Sequence, residues 1–320
     1  MKILATWYPI FEPIKKNLKH FKKNNIHFDF IKKKQSLNEK DLISKISLYD
    51  GVICGDDEFT PKVLDKAIKL KVISKWGTGI DSINTIYAQK KKIKVFNVPG
   101  AFTISVSEYA FGMLLNLTRG ISYLDECIKN KNSWKKYEGS ILKSKSIGII
   151  GYGKIGKQIS KIAKAFEMKV FVNDIKSEKK KYIKKNKSLK YLTLEKLVTK
   201  SDIILLSADL NPKSHHLLKR KYFKIMKKGV IIINIARGAL IKEKDLIWAL
   251  KKKIVKKIGL DVFENEPINK NSFLKKFKNS ILSSHNAFNS KETVKYTNSR
   301  VIYNLLKGLK KEKIYKNLNL

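Results

Sequence analysis

Cysteine is nearly missing from this 320-residue chain: only Cys54 and Cys127 occur, without metal-ligand spacing. That excludes a disulfide framework and fits a reducing cytoplasm. No run of about eighteen apolar residues occurs, so nothing reads as a membrane span. The first residues, MKILATWYPIFEP, hold too short an apolar stretch, followed by acid and proline, for an export signal. Arginine is scarce too. Only Arg119, Arg220, Arg237 and Arg300 stand among 69 basic residues, which outweigh 27 acidic ones to give a net charge of +42. Such a charge invites a polyanion-binding function. Nucleic-acid readers lean on arginine for bidentate contacts, however, and here the lysines are spread along the chain rather than gathered in one stripe. Lysine in place of arginine, with abundant isoleucine and asparagine, is what AT-rich coding produces. No specific nucleic acid and no membrane is expected as a partner, only weak nonspecific binding at low salt.

What is there centres on Ser146 to Asp174, SIGIIGYGKIGKQISKIAKAFEMKVFVND. An apolar run, Ile147 to Ile150, feeds into Gly151, Gly153 and Gly156 in GxGxxG spacing; an amphipathic helical pattern follows, then a second apolar run that ends on Asp174, eighteen residues after Gly156. Strand, turn, helix and strand are the parts that grip a dinucleotide. The glycines let a pyrophosphate approach the backbone, and the opening of the helix, at Lys154 and Ile155, offers it unpaired N–H groups and the positive dipole end. An acid ending the second strand bonds the ribose hydroxyls. The carboxylate of Asp174 would repel a 2′-phosphate, favouring NAD over NADP, although Lys176, Lys179 and Lys180 just downstream could soften that preference.

On both sides of this unit, strands and helices alternate. Strands are expected at Lys2 to Ala5, His27 to Ile31, Gly51 to Cys54, Val72 to Ser74 and Lys94 to Phe96, with helices at 12–23, 39–47, 61–68 and 82–91. Thr60 before Pro61 makes a good cap, and Asp81 can cap the helix after it. A long apolar helical stretch runs from about Thr103 to Lys129, too apolar for one narrow stripe, so it is covered on more than one side, within one core or at an interface. Further strands are expected at Asp202 to Ser207, Gly229 to Asn234, Lys257 to Asp261 and Ser280 to Ser283, and a last helix at about 290–310. This alternation predicts an α/β fold of mostly parallel, doubly wound sheets, and 320 residues suffice for two cored domains.

Candidate chemistry collects after the later strands: Asn234 to Gly238, then Asp261 to Pro267, then His285. Ligand sites in open parallel sheets gather at the carboxyl ends of strands. With those residues in view, the chain resembles the D-isomer-specific 2-hydroxyacid dehydrogenase family, which includes D-3-phosphoglycerate dehydrogenases, glyoxylate and hydroxypyruvate reductases and D-lactate dehydrogenases. The motifs that carry the resemblance are WGTGID at 76–81, NVPGAFTISVSEYAFGMLL at 97–115, IGIIGYGKIG at 147–156, NIARGALI at 234–241, LDVFENEP at 260–267 and SSHNAF at 283–288.

The resemblance implies two Rossmann-like domains, a flavodoxin-like substrate domain from about 1–98 plus 287–320 and an NAD-binding domain from 99–286, with the active site in a cleft closed by hinge motion. It makes Arg237 the catalytic arginine, Glu266 the glutamate and His285 the catalytic histidine. Gly77, Thr78 and Gly79 become the loop that holds the substrate carboxylate together with Arg237, and Ala236 and Asp261 join the cofactor contacts. These roles make chemical sense. An arginine holds carboxylate and carbonyl oxygens at once. A histidine can exchange a proton with the substrate oxygen, and a glutamate behind it orients the ring and favours its charged form. Glu264 rivals Glu266, which is preferred because it precedes the proline. His215 and His216 read as loop residues, while Trp7, Tyr8 and Trp76 are core or crevice-lining.

Two departures from the family pattern stand out. After the third strand, where phosphoglycerate-using relatives tend to carry a base, this chain has Cys54, Gly55, Asp56, Asp57 and Glu58. Three carboxylates beside a phosphate would be costly, which points to a non-phosphorylated 2-keto acid. The segment SADLNPKS, with Asp209, replaces the family's usual proline and threonine near 208. Family members usually dimerise through the nucleotide domain, and a homodimer is expected here. The alternatives are D-3-phosphoglycerate dehydrogenase proper, a non-catalytic NAD-sensing scaffold on the same fold, and a polyanion-binding protein.

Overall fold

Apolar runs of a few residues become strands because both their faces are covered. In the computed structural model, which describes residues 1–32, 36–176 and 189–320, β3 (Gly51–Cys54), β4 (Val72–Lys75), β6 (Ser146–Ile150) and β9 (Ile203–Leu206) are buried at every position. Such unbroken burial marks parallel sheets with helices on both sides. The other strands are β1 (Lys2–Ala5), β2 (His27–Phe30), β5 (Lys94–Phe96), β7 (Lys169–Asn173), β8 (Lys190–Tyr191), β10 (Val230–Asn234), β11 (Val255–Leu260) and β12 (Ser280–Leu282).

The chain divides into two compact units, residues 1–102 with 289–320, and residues 103–288. The first holds a five-stranded sheet of order β2-β1-β3-β4-β5, the flavodoxin-like order. Its pairs are all parallel. Its last helix, Lys291–Gly308, packs on β3 and β4 closely enough that a Cβ at Gly308 would lie 2.3 Å from Val72. The Ser74 hydroxyl donates to the Val301 carbonyl at 2.8 Å, which ties that helix to β4. The second unit holds a seven-stranded parallel sheet of order β12-β11-β10-β9-β6-β7-β8, the doubly wound dinucleotide-binding order with one further strand.

Helix Thr103–Arg119 belongs to the core of the second unit, where it packs on helix Lys154–Ala165 and on β10, β11 and β12. It is not continuous to Lys129 as the apolar pattern predicts. Gly120 takes a left-handed conformation (φ 67°), the ring of Tyr137 fills the place of a Cβ there, and a second helix, Ile121–Lys131, starts anew. Helix 12–23 is likewise two helices, Phe11–Lys16 and Leu18–Lys23, parted at Asn17, whose side-chain amide donates to the carbonyls of Pro13 and Asn319. Thr60 caps helix Pro61–Lys66, but the next helix, Thr85–Lys90, is capped by Asn84 rather than Asp81: the Asn84 side chain accepts from the Tyr87 amide at 2.9 Å. Strand β8 gives no sign in the hydropathy, being two residues long. Among the described residues, no helix is long and apolar enough to cross a membrane.

Candidate functional site

The sheet order of the second unit reverses between β6 and β9, and the glycine-rich turn sits there. Gly151 follows β6 with φ 94°, and a Cβ on it would stand 2.5 Å from the Ala208 amide nitrogen beyond β9. At Gly156 a Cβ would come within 2.2 Å of the Gly151 carbonyl oxygen, so no side chain fits between turn and helix. Gly153 differs. Among the described residues, apart from its chain neighbours, nothing lies within 4 Å of its missing Cβ, and helix Lys154–Ala165 begins directly after it, so the helix opens beside room for a ligand. That is the cradle a pyrophosphate needs. Asp174, just past β7, accepts from the Tyr152 amide at 2.7 Å and from the Lys176 amide at 2.9 Å. These bonds hold the carboxylate at the end of β7, the place from which an acid reaches ribose hydroxyls in this type of turn. These residues fit a dinucleotide. Lys179 and Lys180 lie outside the described residues.

Three adjacent parallel strands, β10, β11 and β12, bring their carboxyl ends to the same edge of the sheet with the remaining candidates. Past β10, the buried Asn234 clamps a turn: its amide donates to the Arg237 carbonyl at 3.0 Å and its oxygen accepts from the Ala236 amide at 3.1 Å. Gly238 then presses on the chain past β11, where a Cβ would stand 1.8 Å from the carbonyl carbon of Phe263. A glycine after Arg237 is therefore obligatory, and it seats the arginine turn on the segment that carries Glu266.

Past β12 lies His285, in a left-handed backbone conformation (φ 55°). The 1% exposed Asp261 holds this loop. Its carboxylate accepts from the Ser283 hydroxyl (2.6 Å) and from the amides of Asn286 (2.7 Å) and Ala287 (3.0 Å), and its carbonyl accepts from the His285 amide (2.7 Å). In this structure Asp261 thus anchors the histidine loop, a task that the sequence does not suggest. His285 Nδ1 lies 2.9 Å from Glu266 Oε2, while Glu266 Oε1 accepts from the Phe263 amide at 2.9 Å. A carboxylate offers only acceptors, so the ring nitrogen facing Glu266, Nδ1, carries a proton. Glu264 points elsewhere, accepting from the Glu243 amide at 3.0 Å and pairing with His216 Nε2. Burial, and then the Glu264 charge, push the Glu243 carboxyl above its usual range. His216 is thereby tied into the segment beside Glu266, which its position in a loop sequence does not reveal.

In the first unit the chain leaves β4 through Trp76 into Gly77 (φ 128°), Thr78 and Gly79. The Gly77 carbonyl accepts from the Val98 amide (2.8 Å), and the Thr78 carbonyl from the Asn97 side chain (2.7 Å). Among the described residues, the N–H groups of Gly77, Thr78 and Gly79 meet no acceptor. Successive N–H groups left open in this way make an anion-binding concavity. Trp76 is buried, donates from Nε1 to Asn298 at 2.7 Å, and lies against Trp7 and Phe102 with ring centroids 5.6 Å away in each case. Tyr8 is exposed.

Asp56, Asp57 and Glu58 have three separate tasks. Asp57, 2% exposed, accepts from the Leu37 amide and the Thr6 hydroxyl; burial raises its carboxyl above the usual range against the pull of those bonds and of Lys75. Glu58 accepts from the Glu39 amide at 3.1 Å. Asp56 pairs at 2.8 Å with Lys75, a 3% exposed lysine that sequence reasoning does not single out. Its signal is a lone charge closing the apolar run Val72 to Ser74.

Comparison with known proteins accounts for this arrangement. Residues 111–287 match the family profile described as "D-isomer specific 2-hydroxyacid dehydrogenase, NAD binding domain". Glyoxylate reductase of Thermococcus litoralis is 35% identical over 254 residues, 76% of this chain and 76% of that protein. D-3-phosphoglycerate dehydrogenase of Methanocaldococcus jannaschii is 35% identical over 280 residues, 86% of this chain but 53% of that protein, so the chain spans about half the length of that relative. Among solved structures, the TT0316 protein from Thermus thermophilus superposes with a TM-score of 0.85 at 26% identity, covering 97% of each chain. The chain belongs to the D-isomer-specific 2-hydroxyacid dehydrogenase family, with that family's NAD-binding domain in its second unit.

Proposed function

We propose that this chain catalyses the reversible, NAD-linked reduction of a small, non-phosphorylated 2-keto acid to the D-2-hydroxy acid. The observation that carries this reading is the His285–Glu266 pair, at 2.9 Å on an Asp261-anchored loop, one strand away from the segment that seats Arg237. The N–H groups of Gly77, Thr78 and Gly79 take the substrate's carboxylate. Arg237 holds the carbonyl oxygen and draws electron density from the carbon. Bound NADH supplies the hydride. As negative charge grows on the oxygen, His285 gives it a proton from Nε2, and Glu266 holds Nδ1–H and stabilises the ring while it is cationic. In the oxidative direction His285 takes the proton back. NAD is favoured over NADP because a 2′-phosphate would meet the Asp174 carboxylate, and the glyoxylate reductase relative supports a small substrate.

The test is to mix the protein with NADH and a panel of glyoxylate, hydroxypyruvate, phosphohydroxypyruvate, pyruvate and 2-ketoglutarate and follow the loss of NADH absorbance. Oxidation with a non-phosphorylated acid is expected, and His285→Ala should lower kcat by about 10²- to 10⁴-fold without weakening NADH binding. Full turnover in His285→Ala would overturn the assignment.

The same reading makes the protein a cytoplasmic homodimer. Supporting the dimer, Ile121, Tyr123, Ile128, Trp134 and Ile141 stand exposed within one stretch of the second unit, Trp134 to 83%. Apolar groups so concentrated mark a surface that is covered in the assembly. Light scattering on the wild type and on Trp134→Lys with Ile128→Lys should give dimer and monomer respectively; a wild-type monomer would refute it. Supporting the compartment, both thiols are buried and free.

A further inference from the structure

Resting on the assignment of Gly77–Gly79 as the substrate's carboxylate loop, we propose that Asp56 determines which substrates that loop accepts: its ion pair with the buried Lys75 cancels a cation that would otherwise recruit a second anionic group, restricting the enzyme to monoanionic keto acids.

Lys75 is the last residue of β4, two residues before Gly77. Its side chain is 4% exposed, and its Nζ donates to the Trp76 carbonyl at 3.3 Å and lies 3.8 Å from where a Cβ on Gly77 would stand. The ammonium is therefore fixed against the backbone from which the carboxylate loop springs. A buried ammonium needs a counter-charge, because burial removes the water that would otherwise solvate it. Asp56 provides one at 2.8 Å, from a side chain that is itself 49% exposed.

The neighbouring acids cannot take this part. Asp57 is buried, bonded to Leu37 and Thr6, and acts on Lys75 through its charge without pairing with it, and Glu58 bonds Glu39. Of the three, Asp56 combines contact with Lys75 and exposure to a ligand. A substrate with only its 2-keto carboxylate leaves the Asp56–Lys75 pair intact. One with a phosphate or second carboxylate must either set two anions on a single ammonium or pull Asp56 away, and both lose Coulomb energy at short range. Without the Asp56 charge, Lys75 stays in place through Trp76 and loses its directly paired carboxylate, a place that a substrate's second anion can take.

The experiment measures kcat/KM, in the full chain with NADH, for hydroxypyruvate, phosphohydroxypyruvate and 2-ketoglutarate in wild type, Asp56→Asn and the double variant Asp56→Asn with Lys75→Met. Wild type should favour hydroxypyruvate over phosphohydroxypyruvate by about tenfold or more. Asp56→Asn should move that ratio by about tenfold toward the phosphorylated acid, mostly through KM, and improve 2-ketoglutarate in the same sense; a single short-range charge interaction of ~1.4 kcal/mol corresponds to that factor. The double variant should lose the gain. A wild type that prefers phosphohydroxypyruvate overturns the proposal however the variants fold. An unmoved ratio in Asp56→Asn, with hydroxypyruvate still reduced, overturns it alone. A wild type that reduces no keto acid overturns the underlying functional reading, and this proposal with it.

Discussion

In the second unit the strand order turns back between β6 and β9, and there is room at the turn: among the described residues, apart from chain neighbours, nothing stands within 4 Å of a Cβ on Gly153. In the first unit it turns back between β1 and β3, and the matching place is filled. A Cβ on Gly55, just past β3, would lie 2.4 Å from the indole of Trp7, which follows β1. Both sheets have the reversal point where open α/β folds collect ligands. Side chains, not topology, decide whether it is used. Where glycines and a distant acid line it, a dinucleotide fits. Where tryptophan plugs it, the unit can offer only its rim, and the candidate anion site lies after β4.

The sharpest way to break this comparison is at Asp174. Asp174→Ala should weaken NADH binding by about 10- to 100-fold, as expected for lost hydrogen bonds to a charged group, while NADPH loses less. Fluorescence titration with both nucleotides reads this. The ratio is the diagnostic quantity, because Asp174 also holds the Tyr152 amide and a merely structural loss would weaken both nucleotides alike.

The plugged side is tested by Gly55→Ala. Its new methyl group must displace Trp7, costing about 1–3 kcal/mol of stability. NADH affinity should not change. A parallel loss of NADH binding would mean that the two reversal points are not independent, and urea unfolding beside nucleotide titration separates the outcomes.

Acid offers a gentler contrast between one carboxyl of each unit, Asp202 and Asp57, which are moved in opposite directions. In the second, burial pushes Asp202 up, but the Lys227 ammonium and the hydroxyl and amide of Ser146 outweigh it and bring it down to about 2. A lowered carboxyl stabilises the fold above its ordinary value, and that gain is lost as pH falls through about 2. Asp202→Asn should therefore cost about 1 kcal/mol near neutrality, a figure reduced for solvent screening of this one-third exposed group. The deficit should shrink as pH is taken from 6 towards 3. In the first unit Asp57 is raised, so its contribution is complete below the ordinary carboxylate range and is lost as pH rises through the raised value. Asp57→Asn should accordingly compare better with wild type at pH 7 than at pH 4, by a few tenths of a kcal/mol. Paired urea curves at those pH values check both signs; equal signs would erase the contrast.

Much of the second unit is legible in the sequence because its information is local. The apolar run Ile147 to Ile150, three glycines and Asp174 lie within one thirty-residue stretch, and Arg237, Glu266 and His285 each follow a readable strand. What escapes depends on contacts across the chain. The break at Gly120 is made with Tyr137, the loop-anchoring role of Asp261 needs residues 283–287, and His216 meets Glu264 from 48 residues away. The first unit hides more. Asp56, Asp57 and Glu58 read as one acidic cluster, and only their partners Lys75, Leu37 with Thr6, and Glu39 separate a specificity element from two pieces of scaffold.

The helix Lys291–Gly308 gives the molecule a schedule. It covers β3 and β4 of the first unit, yet it is encoded after every residue of the second. On a ribosome, where chains emerge from the amino end and domains fold as units, the nucleotide-binding half has all its residues before the half that began first has its own. Until translation reaches Gly308, Leu305 cannot pack on Gly51 of β3 nor Gly308 on Val72 of β4, and that face of the first sheet lacks its cover. A ribosome that stalls between Phe288 and Gly308 therefore holds every residue of the nucleotide-binding unit tethered to an unfinished first sheet.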